Sequence, residues 1–140
     1  MNVVAFLEAF SGWASSQRDV KAVALVGSHA RDSATEDSDV DLLILTTDVV
    51  KYINDRAWVS QFGETTECRV EDWGKVTSLR SFYKDGLEVE YGFTTPDWAQ
   101  RPMDAGSLRV VTGGIKILLD AQNILSEVQR EVRSGDNTYD

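Results

Sequence analysis

Apolar residues recur at spacings of three and four in three stretches of the chain, which is the period of an amphipathic helix. The apolar positions are Val3, Phe6, Leu7, Phe10 and Trp13 in the first stretch, Val49, Val50, Ile53 and Ala57 in the second, and Ile124, Leu125, Val128 and Val132 in the third. Thr47 or Asp48 is the candidate N-cap of the second helix, and Gly63 is its expected end. The pattern predicts helices near the start, middle and end of the chain, with residues 134–140 frayed.

Runs of apolar and β-branched residues between turn formers predict strands. Five segments have this character: "KAVALVGS", "DVDLLILTT", "TTECRVEDWG", "KVTSLRSFYKDG" and "LEVEYGFTT". The last two flank the turn signal Asp85-Gly86 and so form a predicted hairpin. "SHARDSATEDS" predicts a short helix from Ser28 and then a loop, and Pro96 suits the first turn of another helix. "GIKILLDA" is compatible with either a final strand or the start of a helix.

Composition limits the class of protein. The chain has 140 residues, the size of one domain, and we expect a single domain over residues 1–140. Its net charge is −9, with 14 basic and 23 acidic side chains, so extended contact with a nucleic acid backbone is not expected. Cys68 is the only cysteine, the start of the chain lacks a basic leader, and no apolar stretch approaches the roughly 20 residues that span a bilayer. These features predict a cytoplasmic protein without membrane contact.

The stretch "LVGSHARDSATEDSDVDLLIL", residues 25 to 45, brings five carboxylates into ten positions. They are Asp32, Glu36, Asp37, Asp39 and Asp41. In a strand, Asp39 and Asp41 point to the same face, with α-carbons about 6.6 Å apart. Such a pair can share Mg²⁺ or Mn²⁺, and paired ions hold the attacking and leaving oxygens of a phosphoryl displacement. The alternative is that these acidic residues only form a solvated entrance to the strand.

Gly27 and Ser28 form a predicted turn just before these carboxylates. At the start of a helix, backbone N–H groups and a hydroxyl are suited to binding an anion. Arg31 lies one turn further on, where it would neutralise a phosphate. The alternative for Arg31 is a simple ion pair with Asp32 or Glu36. The turn and the carboxylates together predict a site for a phosphate-bearing ligand.

"GSHAR" followed by "SDVDLLIL" resembles the G-S-x-A-R … S-D-x-D-L signature of the DNA polymerase beta-type nucleotidyltransferase superfamily, especially its small bacterial and archaeal members and antibiotic nucleotidyltransferases. The resemblance implies an α+β fold, with a mixed central sheet of about five strands and helices packed against it. It also implies that Gly27 and Ser28 hold the phosphates of a nucleoside triphosphate, with ATP the expected substrate. Asp39 and Asp41 would then bind the metal ions.

The superfamily takes a third carboxylate from a later strand. "GLEVEYGF" offers Glu88 and Glu90, which share one face of a strand. We favour Glu90 as a metal ligand or as the general base that accepts the proton of the acceptor hydroxyl, with Glu88 as the alternative catalytic residue. Arg80 and Lys84, in the preceding strand, are expected to offset the acidic face rather than to contact the triphosphate. The four tryptophans are expected in the core or in an interface.

The resemblance implies a metal-dependent nucleotidyltransferase, which moves a nucleoside monophosphate from a nucleoside triphosphate to a hydroxyl on a small molecule or a protein side chain. Two departures favour an alternative. Asp32 stands where the superfamily often has glycine, and the chain lacks the helical domain with which many antibiotic-modifying relatives bind the acceptor. The alternative is a catalytically degenerate module that binds nucleotide or acts as an antitoxin-like partner. Both interpretations are compatible with a helical protein partner.

Overall fold

The order of helices and strands was obtained from a computed structural model, which describes residues 2–35, 38–100 and 103–138. The helices are α1 (Val3–Ser15), α2 (Gly27–Ala30), α3 (Val49–Asn54), α4 (Ala105–Thr112) and α5 (Ile124–Thr138), with two 3₁₀ segments at Ala57–Phe62 and Pro96–Ala99. The strands are β1 (Val20–Val26), β2 (Val40–Thr46), β3 (Thr65–Asp72), β4 (Thr77–Tyr83), β5 (Glu88–Thr94) and β6 (Lys116–Asp120). All five segments predicted as strands form strands.

The strands form one six-stranded sheet in the order β3-β4-β5-β2-β1-β6. β2 and β5 run parallel, and the other neighbours run antiparallel. This confirms the predicted α+β fold and mixed sheet, with six strands instead of about five. The additional strand is β6, in the "GIKILLDA" segment. A short apolar run is compatible with either a strand or a helix, and pairing with β1 decides between them.

Helices pack on both faces of the sheet, but they do not cover the two faces equally. α1 and the 3₁₀ segment after α3 cover one face, where Phe6 and Phe10 are fully buried against aromatic residues of the sheet. α4 and α5 cover the other face, and the buried strand residues that they contact belong to β1 and β2, such as Ala22, Leu43 and Leu45. The part of this second face that β4 and β5 form therefore borders open space.

The predicted middle helix is divided into two. α3 ends at Asn54, because Asp55 has an extended backbone with φ −109° and ψ 104°. A separate 3₁₀ segment follows and ends at Gly63, the expected boundary. The break turns Trp58 into the core, where its indole Nε1 donates a hydrogen bond to the Tyr52 carbonyl at 3.1 Å. The prediction of one continuous helix was wrong because this tertiary contact is not visible in the local pattern.

The C-terminal helix buries Leu125 and Val128 against the second face of the sheet. It continues to Thr138, and the fraying of residues 134–140 stays a prediction. Once a helix has formed, each further residue adds a backbone hydrogen bond, which favours this extension. Residues 139 and 140 lie outside the described part of the chain. None of the helices within that part combines the length and the apolar character needed to cross a bilayer.

Candidate active site

Three carboxylates from two strands converge on the open face of the sheet. The parallel register of β2 and β5 pairs Asp41 directly with Glu90. Asp39 lies two residues before Asp41, and the alternation of a strand directs both side chains to the same face. One carboxylate oxygen from each of these three residues lies within 4.8 Å of the other two. Parallel pairing thus brings together groups that are about 50 residues apart in sequence.

Glu88 shares the strand face of Glu90, but its carboxylate has a different position. Its Oε2 lies 2.5 Å from Nη1 of Arg80. Within the described ranges, the group of carboxylates close enough to share a cation contains Glu90 and not Glu88. The geometry therefore favours Glu90 as the third carboxylate, and it makes Glu88 a partner of Arg80.

Asp41 has an unfavourable environment for a charged carboxylate. Its burial, followed by the nearby carboxylates of Glu90 and Asp39, raises its pKa to about 8. Desolvation and like charges both disfavour the ionised form, so the two effects act in the same direction. Without a bound cation, Asp41 therefore holds a proton at neutral pH.

The donor set fits a hard divalent cation. Carboxylate oxygens are the ligands that Mg²⁺ and Mn²⁺ prefer. In addition, Oδ1 of Asp41 is buried and has no hydrogen-bond partner among the described residues. A buried polar atom without a partner is costly, and a bound cation would remove that cost. Asp39, Asp41 and Glu90 are the residues that would hold such an ion.

Arg80, on β4, is the cation that lies against these carboxylates. Its Nη1 is 3.0 Å from Oδ2 of Asp39, and its Nη2 is 3.2 Å from Oε2 of Glu90. Its Nε is 2.9 Å from Oε1 of Glu71, and Glu88 completes the set. Burial acts to lower the pKa of Arg80, but hydrogen bonds to its carboxylate partners raise it above its ordinary value. Arg80 therefore stays charged and offsets the acidic face, as the sequence predicted.

Gly27 places the turn after β1 directly against Asp41. Its φ is +72°, in the left-handed region that favours glycine. A Cβ atom at this position would lie only 2.4 Å from Oδ2 of Asp41. Ser28 follows in α2, a single turn of four residues, and the first N–H groups of a helix have no acceptor within it. The turn therefore brings backbone donors close to the carboxylates.

Asp32, the main departure from the superfamily signature, is accommodated by the backbone and by a nearby lysine. Its φ is +56°, in the left-handed backbone region. Glycine adopts this conformation most easily, which explains why it is common at this position, and aspartate adopts it more readily than most other residues. Oδ1 of Asp32 lies 2.6 Å from Nζ of Lys116 on β6. The additional negative charge is therefore paired. Glu36, the other predicted partner of Arg31, lies outside the described residues.

A cavity of about 640 Å³ lies over the site, between the sheet and α4. Its lining includes Gly27, Asp41, Glu90 and Trp98, together with the cations Arg31, Arg80 and Arg109. Within the described ranges, Arg31 and Arg109 form no ion pair, in contrast to Arg80. The cavity thus combines a carboxylate cluster with two guanidinium groups that have no ion-pair partner among the described residues, which suits an anion that also binds a cation.

The structure adds two residues that the sequence did not single out. Trp73, expected in the core or an interface, is 61% exposed in the β3–β4 turn and lines the cavity. Its indole Nε1 donates a hydrogen bond of 3.0 Å to Oε1 of Glu90. Its place at the end of a predicted strand, beside Gly74, was a signal of exposure. Arg109 lies on α4, a helix that no clear pattern predicted, so no sequence signal could have identified it. Lys84 pairs with Glu64 instead of lying at the site.

The fold and the carboxylate cluster place the chain in the DNA polymerase beta-type nucleotidyltransferase superfamily, and comparison with known proteins supports this class. The family model for streptomycin adenylyltransferase matches residues 4–137. Since this match includes nearly the whole chain, the protein belongs to that family. No curated protein sequence gives a significant match.

Solved structures show the same fold. An aminoglycoside 6-adenyltransferase from Bacillus subtilis is 18% identical, with a TM-score of 0.54 over 67% of this chain and 35% of its own. Cid1, solved in complex with the UTP analog UMPNPP, is 14% identical, with a TM-score of 0.50 over 79% of this chain and 31% of its own. The chain thus spans about a third of the length of both proteins.

Proposed function

We propose that the protein is a metal-dependent nucleotidyltransferase, which transfers a nucleoside monophosphate from ATP to a hydroxyl acceptor. The observation that carries the proposal is the convergence of Asp39, Asp41 and Glu90 beside the Gly27 turn, where Asp41, Glu90 and Gly27 line one cavity. Membership of an adenylyltransferase family supports the same reaction class. A divalent cation at these carboxylates, Mg²⁺ or Mn²⁺, would supply positive charge to the phosphoryl oxygens.

The residues of the site divide into two groups in this proposal. Asp39, Asp41 and Glu90 hold the cation. Gly27 and Ser28 offer backbone N–H groups to the triphosphate, because the first donors of α2 are free of intrahelical acceptors. The guanidinium groups of Arg31 and Arg109 line the same cavity and add charge-assisted hydrogen bonds to phosphate.

The chemical step is a displacement at the α-phosphorus. The acceptor oxygen forms a bond to this phosphorus, while the bond from the phosphorus to the bridging oxygen breaks and pyrophosphate leaves with the electron pair. The hydroxyl proton passes to Oε1 of Glu90, the oxygen that Trp73 holds towards the cavity. Glu88 takes no part in this step, because within the described residues its carboxylate lies outside the group of three that could share a cation.

The acceptor is proposed to be a hydroxyl of a small, polyhydroxylated molecule. The description of the matching family and the adenyltransferase among the similar structures both favour this class over a protein side chain. A helical protein partner on the acceptor side of the cavity is a further part of the proposal. The alternative of a catalytically degenerate module was suggested partly by the negative charge of Asp32. That reason is weakened, because Lys116 pairs with Asp32.

A transfer assay tests the proposed function. The protein is incubated with Mg²⁺, α-³²P-labelled ATP and streptomycin, and label on streptomycin, label on the protein itself and released pyrophosphate are measured. We expect label on streptomycin in equal amount to pyrophosphate. Asp41→Asn should reduce transfer by about 10²-fold or more, because a metal ligand supports several kcal/mol of charge stabilisation. Glu8→Gln, at an exposed position of α1, is the matched control.

Two results would reject this function. The first is an Asp41→Asn variant that binds Mg²⁺-ATP and transfers label as well as the wild type does. The second is ATP binding without pyrophosphate release for every acceptor offered, which would favour a degenerate nucleotide-binding module. Label on the protein in place of streptomycin would keep the reaction class and assign the acceptor to protein side chains.

A further inference from the structure

Arg80 occupies a position between two of the three carboxylates that would hold a cation. Its Nη1 and Nη2 contact Oδ2 of Asp39 and Oε2 of Glu90, at 3.0 and 3.2 Å. Asp39 directly precedes β2, Glu90 lies on β5, and Arg80 lies on β4. The single positive charge of Arg80 therefore already offsets part of the negative charge of Asp39 and Glu90. In a site with two divalent ions, those ions would neutralise these carboxylates instead.

Contacts outside the carboxylate cluster hold this guanidinium in place. Glu71 on β3 and Glu88 on β5 bind its Nε and Nη1, at 2.9 and 2.5 Å. The side chain of Arg80 is 17% exposed, and its backbone pairs with that of Glu90 in the β4–β5 ladder. Moving the guanidinium away would break these contacts and leave several half-buried carboxylates close together without a cation, which is unfavourable. Arg80 should therefore stay in place when a ligand enters the cavity.

The oxygens of the cluster differ in how many donors they already have. Oε1 of Glu90 accepts the Trp73 indole N–H, and Oε2 of Glu90 faces Arg80. Oδ2 of Asp39 also faces Arg80. Asp41 alone offers a buried oxygen, Oδ1, that has no donor within the described residues. The cation site is therefore centred on Asp41, and the side of the cluster towards β4 is filled by the guanidinium.

We propose that Arg80 is a positioning residue that replaces one of the two divalent cations, so that the site binds a single divalent ion with its nucleotide. This inference rests on the proposed function. Arg80 offsets the charge of Asp39 and Glu90 and fixes their side chains, while the single ion would be centred on Asp41, with Asp39 and Glu90 as its other ligands. Removal of the guanidinium frees two carboxylate oxygens and creates the second ion position.

Counting bound Mn²⁺ tests the proposal without any need for the acceptor. The protein is dialysed to equilibrium against Mn²⁺ and α,β-methylene ATP, an analogue whose α-phosphorus cannot be attacked with loss of pyrophosphate. The ratio of Mn²⁺ to analogue retained by the protein is then measured. We expect a ratio of one for the wild type and two for Arg80→Met. Arg69→Met is the matched control with a ratio of one, since Arg69 faces Arg80 across β3 and β4 but is 54% exposed.

The outcomes separate this inference from the proposed function. A ratio of two Mn²⁺ ions per analogue in the wild type would overturn the role of Arg80 and leave the nucleotidyltransferase proposal unaffected. This measurement needs only the wild-type protein, so it does not depend on the folding of a variant. A ratio of one in a folded Arg80→Met variant, checked by circular dichroism, would also overturn it. No retention of the analogue by the wild type would overturn the proposed function and this inference with it.

Discussion

At the scale of single residues, Asp41 links the stability of the protein to its ligands. Its burial and the carboxylates around it raise its pKa from 3.8 to about 8. Between about pH 4 and pH 8, the folded, metal-free protein therefore keeps a proton on Asp41 that the unfolded chain has released. Stability then falls as the pH rises from about 4 to 8, because the unfolded state binds fewer protons. A cation bound at the site would stabilise the ionised form of Asp41 and so remove this loss of stability.

Asp41→Asn should stabilise the metal-free protein at pH 8. The asparagine amide carries no charge, and it can donate hydrogen bonds to the neighbouring carboxylates. We expect the free energy of unfolding to rise by about 1 to 3 kcal/mol, which is the usual cost of burying a polar group without a compensating hydrogen bond. The gain should shrink as the pH falls and approach zero below pH 4, where the wild-type carboxyl becomes protonated in both states. Urea unfolding with chelator, between pH 4 and 8, measures it.

Glu8→Gln provides the comparison for this profile, because Glu8 is an exposed carboxylate on α1. Its unfolding free energy should follow that of the wild type at every pH. A variant at Asp41 that is less stable than the wild type at pH 8, or that differs from it equally at pH 4 and pH 8, would contradict the account of this carboxyl.

At the scale of secondary structure elements, the turn between β1 and α2 makes the site depend on one glycine. Gly27→Ala forces a Cβ into a left-handed residue that is already in contact with Asp41. We expect a loss of about 1 to 3 kcal/mol in stability, typical of strain at such a backbone position. Stabilisation by Mg²⁺-ATP should also be lost. Thermal unfolding with and without the ligand measures both effects.

Gly12→Ala is the matched control for this substitution. Gly12 lies within α1, and a Cβ there would meet no atom within 4 Å. Alanine should therefore raise stability by about 0.5 to 1 kcal/mol, through its higher helix propensity, and leave ligand binding unchanged. If Gly27→Ala behaved like Gly12→Ala, the turn would not have the role assigned to it.

The elements and the site differ in how far the sequence could predict them. Local periodicity identified the strands and the first and last helices, since each has a buried face of its own. The signature around Asp39 and Asp41 indicated the chemistry. The register of Arg80 against Glu90 and the contact of Trp73 with Glu90 could not be predicted, because both depend on strand pairing over long sequence distances. The break at Asp55 likewise depends on a core contact that a local pattern does not show.

At the scale of the whole molecule, unequal coverage of the sheet creates the cavity. The buried strand residues under α4 and α5 come from β1 and β2, so the second face of β4 and β5 is free to line a binding site. The same arrangement explains why strands from different parts of the chain supply the carboxylates and Arg80. A fold of this kind places Asp41 and Glu90 on one wall of the cavity, while α4 and Trp73 form other parts of its lining.

The central claim is that the carboxylate pair binds a nucleoside triphosphate through a divalent cation. Thermal unfolding with each nucleoside triphosphate, with Mg²⁺ or with chelator, tests it on the wild type and on Asp39→Ala/Asp41→Ala. We predict a rise in melting temperature that requires Mg²⁺, is largest with ATP and is absent in the double variant. A ligand at 100 times its Kd adds about 2.7 kcal/mol, which such a measurement resolves. No shift with any nucleotide, or an equal shift in the double variant, would contradict the claim.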